Sequence, residues 1–208
     1  MHRHLPNLLT VARLFLALIF FVVLNFYRYP DEYAAALPAA IVLFILAAVT
    51  DALDGYLARR WHVESAFGRI MDPFCDKVLI IGAFIYLSGP RFVDPAAVEQ
   101  HAFFTMSTGV YPWMVAIMLA RELLVTGIRG ELEDTGIRFP SKLMGKLKMI
   151  LQAVAIPVVL LIVWLDPHRH PWMVWVRDPL VYATVIATVL SGWPYVTGAV
   201  RALRKPGI

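Results

Sequence analysis

A chain of 208 residues that is 60% hydrophobic and 16% charged, with a mean hydropathy of +0.67, lies outside the balance of a soluble globular domain. Its formal charge of +4 is spread between apolar runs and forms no basic arm, which argues against nucleic acid and for anionic lipid or a phosphorylated substrate. The single cysteine, Cys75, excludes an internal disulfide framework and a multi-cysteine metal site.

In chain order, apolar runs long enough to cross a bilayer fall at about 8–27, 34–57, 72–89, 109–128, 145–165 and 179–203. The expectation is an all-α polytopic membrane protein with six transmembrane helices. The first run is too long for a cleaved signal, and no small-residue cleavage site follows it. No Gly/Ser linker, low-complexity tract or repeat interrupts the chain, so residues 1–208 read as one domain. Tyr27, Tyr29, Trp113, Trp164, Trp172 and Trp175 mark helix edges, where amphipathic rings anchor at the interface. The Lys/Arg bias of the short loops places both termini in the cytoplasm, together with the connection between the second and third helices.

That connection begins and ends in acids: DALDGYLARRWHVESAFGRIMDPFCDK, residues 51–77. Asp51 and Asp54 are three apart on one helix, Asp72 and Asp76 four apart on the next, so each pair shares a face. Two antiparallel neighbours could bring the pairs together. Four carboxylates that close cannot all stay ionised without cations, and only Arg69 and Lys77 lie nearby in sequence. Bound metal answers the charge. All-oxygen ligands select a hard ion, Mg²⁺ or Mn²⁺, and four Asp around two ions suit the clamping of a phosphoryl centre. Gly55, Ala58 and Gly68 leave backbone open beside the acids, to a ligand or to a neighbouring helix.

Read together, Asp51-x-x-Asp54-Gly55-x-x-Ala58-Arg59, eight residues, then Gly68-x-x-x-Asp72-x-x-x-Asp76 resembles the complete signature of the CDP-alcohol phosphatidyltransferases. The resemblance implies a six-helix core and a pair of divalent metals on Asp51, Asp54, Asp72 and Asp76. It also implies nucleotide contacts at Gly55, Ala58, Arg59 and Gly68, and Asp76 as the base. The segments LPNLLTVARL (5–14), ARELLVTGIR (120–129), GKLKMILQ (145–152) and SGWPYV (191–196) resemble the members whose acceptor is sn-glycerol 3-phosphate, although Met149 stands where that subgroup often has Thr. The expected reaction moves the phosphatidyl group of CDP-diacylglycerol to that acceptor at the cytoplasmic face of a bacterial membrane, releasing CMP. The expected partners are these two substrates and membrane lipid, with room for a homodimer.

An anionic acceptor also follows from the residues themselves. Arg121 interrupts an apolar helix and should face the bundle interior, while Lys142, Lys146 and Lys148 stand at the start of the fifth helix. A planar guanidinium with lysine point charges suits one phosphate group, which makes Arg121, Lys142 and Lys146 the candidate acceptor-phosphate residues. Positive-inside topology also accounts for single lysines there. Members of the family that use inositol phosphate or phosphatidylglycerol share the signature, so the acceptor stays open among them. A cation transporter is the remote alternative, disfavoured because all four acids belong to one helix pair at one face.

Overall fold

The computed structural model describes residues 5–61, 66–134, 143–165 and 170–203. Among them the chain is all-α: α1 Leu5–Phe26, α2 Ala36–Trp61, α3 Ala66–Leu87, a short α4 Pro95–Glu99, α5 Pro112–Asp134, α6 Leu143–Trp164 and α7 Val174–Leu203. The six long helices correspond one for one to the six apolar runs.

Four of these helical stretches, Leu8–Phe26, Ala36–Gly55, Leu143–Trp164 and Pro171–Arg201, are long and apolar enough to cross a membrane. α3 and α5 have the length, but they carry Asp72, Asp76 and Lys77 and Arg121, Glu122 and Arg129 respectively. Asp72 and Asp76 of α3 and Arg121 and Glu122 of α5 belong to the site described below, as do Arg13 of α1, Asp51 and Asp54 of α2 and Lys148 of α6. Large apolar side chains such as Phe15, Val22, Ile45, Val49, Ile150 and Ile186 face outward. An exterior of this kind matches lipid as the surrounding solvent, so the chain is an integral membrane protein.

The interior is built around α1, which packs against both α2 and α3. Phe20, Leu24, Phe44, Phe84 and Leu87 are fully buried there, and the Phe20 and Phe44 rings meet at 5.7 Å between centroids. Phe21 stacks on Tyr86 at 5.3 Å. Its ring lies directly over Gly82, where a Cβ would overlap it; a missing side chain on α3 is what lets α1 come so close. α6 packs on α7 and α2, and α5 on α7 and α3.

α2 and α3 share no comparable packing among the described residues. α1 packs on both of them, as does α6, and α1 side chains reach both acidic pairs. At the other end, Tyr29 N–H bonds the Arg91 carbonyl at 2.8 Å and Asp94 N–H that of Thr105 at 2.8 Å. The connections there are tied to one another, away from the acids.

Candidate active site

One turn of α1 reaches all four aspartates. Thr10 Oγ1 donates to Asp72 Oδ1 at 2.8 Å. Three residues on, and so on the same face, Arg13 Nη1 meets Asp51 Oδ1 at 2.5 Å and Asp76 Oδ1 at 3.0 Å. Arg13 Nη2 donates to Asp54 Oδ2. Arg13 and Asp54 are buried, at 0% and 4% exposure, while the side chains of Asp51 and Asp76 are 39% and 36% exposed. The two half-open carboxylates face a cavity of about 420 Å³ lined also by Arg13, Lys77, Glu122 and Lys148.

The Lys148 and Glu122 side chains of that lining are paired with one another and with Arg121 behind them. Lys148, buried on α6, donates to Glu122 Oε1, which also accepts from Arg121 Nη1 at 2.9 Å. Arg121 Nη2 donates to Ser191 Oγ on α7 at 2.8 Å. Gly192 makes room for this: a Cβ there would lie 3.2 Å from Arg121 Cγ. The network joins α5, α6 and α7 and carries two cations against one carboxylate. Apolar side chains, Phe44, Ala47, Leu79, Ile80 and Met149 among them, make up much of the rest of the lining. The cavity thus combines carboxylates, cations and apolar surface, which suits a ligand with a charged head and hydrocarbon tails.

The four aspartates expected to act together are brought together, and a guanidinium from elsewhere in the chain stands among them. Lys77, adjacent to Asp76 in sequence, donates to Thr126 Oγ1 at 2.7 Å. Arg13 comes from a helix some forty residues upstream of the first aspartate. A search confined to sequence neighbours misses it, although a lone arginine inside an apolar helix was a sign that it faces polar company. Glu122, adjacent in sequence, pairs with Arg121, since the long guanidinium arm reaches back across the difference in direction of neighbouring helical positions. Arg121 is largely buried as expected. Lys146 is exposed on α6, and the lysines lining the cavity are Lys77 and Lys148.

Gly55 is half-buried near the end of α2. The side-chain surroundings of Ala58, Arg59 and Gly68, and all of Lys142, lie outside the described residues. Among the described residues no three His, Cys, Asp or Glu side chains converge as ion ligands; the carboxylates converge on Arg13 instead. In kind and charge the donor set still fits a hard divalent ion, because four carboxylates stand against a single guanidinium and offer only oxygen.

The sequence profile described as CDP-alcohol phosphatidyltransferase matches residues 3–193. The chain is 32% identical over 212 residues to a Bacillus subtilis (strain 168) protein named CDP-diacylglycerol–glycerol-3-phosphate 3-phosphatidyltransferase, covering 97% of each. It is 29% identical over 241 residues to the protein of that name from Cereibacter sphaeroides, covering 98% of this chain and 99% of that one. Its counterpart in Shigella flexneri serotype 5b is 32% identical over 205 residues, covering 96% of each.

Proposed function

Because the chain belongs to the CDP-alcohol phosphatidyltransferase family, we propose that it transfers the phosphatidyl group of CDP-diacylglycerol to sn-glycerol 3-phosphate, giving phosphatidylglycerophosphate and CMP. The observation that carries this reading is one cavity lined by Asp51, Asp76, Lys148 and apolar side chains together. The near full-length relatives named for that reaction support the choice of acceptor.

The chemistry is one displacement at phosphorus. The acceptor's 1-hydroxyl oxygen bonds to the lipid-side phosphorus of the donor, the bond from that phosphorus to the bridging oxygen breaks, and CMP leaves with the electron pair. Asp76, half-open to the cavity, receives the hydroxyl proton. Asp51, Asp54, Asp72 and Asp76 would hold two divalent ions, Mg²⁺ or Mn²⁺, which when bound supply Lewis-acid polarisation and neutralise charge on the pyrophosphate. Gly55, Ala58, Arg59 and Gly68 border the cytidine nucleotide. Arg121, Lys142 and Lys146 serve the acceptor phosphate, joined by Lys148, whose place on the cavity wall supports its inclusion. The acyl chains stay in the bilayer along the apolar side, which lowers the cost of bringing the donor to the site.

In this reading residues 1–208 form one domain with all six long helices crossing a bacterial cytoplasmic membrane. Both termini and the site lie on the cytoplasmic side, and a homodimer is compatible with the arrangement. The deciding experiment is incorporation of radiolabelled acceptor into lipid with CDP-diacylglycerol as donor, comparing sn-glycerol 3-phosphate, inositol phosphate, phosphatidylglycerol and serine. Label from glycerol 3-phosphate alone is expected; a preference for another acceptor would replace the proposed reaction with that acceptor's.

A further inference from the structure

Two acids on α2 and two on α3 must be held close although the described parts of those helices hardly touch. Carboxylates at such distances repel one another, and a buried ion without a partner is costly. Asp54, 4% exposed, can draw little help from water. The described structure brings one cation onto the group, the Arg13 guanidinium, whose two terminal nitrogens contact Asp51, Asp54 and Asp76. Its Nε is buried with no hydrogen-bond partner, so the side chain's hold on its surroundings runs through these carboxylates. Thr10, one turn earlier, holds the fourth, Asp72.

We propose that Arg13 is a positioning residue and the resident counter-cation of the acidic centre, holding Asp51, Asp54 and Asp76 in place across α2 and α3 whether or not divalent ions are bound. The proposal rests on the reading of the four aspartates as metal ligands, and extends it to a residue outside the 51–77 segment. Its physical content is a competition. A fixed positive charge among the carboxylates stabilises the metal-free fold and, by the same Coulomb interaction, weakens their attraction for any further cation. Without Arg13 the metal-free protein should be less stable and its affinity for divalent ions higher. A ligand that binds the folded state alone stabilises it in proportion to the logarithm of its concentration over Kd, so stability should then lean more heavily on metal.

The test uses the full-length protein in detergent, in excess EDTA and in saturating Mg²⁺ or Mn²⁺. Cys75 is the sole cysteine and is 1% exposed, so a fluorogenic maleimide reports unfolding beside Asp76. The wild type should show a higher apparent Tm with metal than in EDTA. Arg13→Gln should melt lower than wild type in EDTA and gain more from metal, and free-Mn²⁺ electron paramagnetic resonance should give it the lower Kd. Arg13→Lys, which keeps the charge, should recover most of the EDTA midpoint. A metal-responsive wild type with an equally responsive Arg13→Gln variant overturns the proposal and leaves the metal reading standing. Loss of folded Arg13→Gln protein in both media also overturns it, as expected of an arginine whose role is packing alone. A wild type indifferent to metal sinks the metal reading and this proposal together.

Discussion

Asparagine at Asp51, Asp54, Asp72 or Asp76 keeps the size of the side chain and removes its charge, so each substitution isolates electrostatics from packing. Every one of the four should abolish most turnover in the acceptor-incorporation assay; near-normal activity in two or more would break the two-metal reading. In the Arg121–Glu122–Lys148 network, charged hydrogen bonds are worth about 1.5–3 kcal/mol, so Arg121→Ala or Lys148→Ala should cost roughly tenfold to hundredfold. The loss should fall on the KM and kcat/KM for the acceptor, because the proposed function assigns the donor's pyrophosphate to the aspartates. Arg121→Lys should fail too, since a point charge cannot serve Glu122 and Ser191 at once. Lys146→Ala should cost less than Lys148→Ala, because Lys146 is exposed and water screens its charge. Steady-state kinetics with each substrate varied in turn checks all four, and a defect seen only when CDP-diacylglycerol is limiting would move these residues to the donor site.

Among the elements, α1 is the one on which the arrangement turns, because its Thr10 and Arg13 reach the aspartates of both α2 and α3. Its seat on α3 depends on the bare backbone of Gly82 under the Phe21 ring. Gly82→Leu should therefore push α1 outward, at about 1–3 kcal/mol for overpacking, and should reduce activity in step by parting Arg13 and Thr10 from the acids. Thermal unfolding in detergent beside the activity assay checks both halves; a stable, fully active Gly82→Leu protein would show that the α1–α3 seat does not govern the centre. Gly55→Leu makes the complementary case on α2. It should raise the KM for CDP-diacylglycerol while the protein still extracts as a folded species, and loss of that species would favour helix packing as the role of the glycine.

For the molecule as a whole, the proposed topology predicts that reporters fused to either terminus signal from the cytoplasm; a terminus found outside would reverse the membrane face of the site. What the sequence determined by itself was local or periodic: the six long helices, because apolar runs of that length have few other structures open to them, and the shared faces of Asp51/Asp54 and Asp72/Asp76, because helical spacing is fixed. The family was legible from one ungapped signature for the same reason, since all its residues lie within positions 51–76. Tertiary structure alone decided that α1 packs on both α2 and α3, that Arg13 rather than Lys77 meets the carboxylates, and that Lys148 rather than Lys146 lines the cavity. Those outcomes depend on which faces of distant helices meet. No spacing within a segment encodes that choice, because in lipid it is made by close packing and by the need of each buried charge to find its partner.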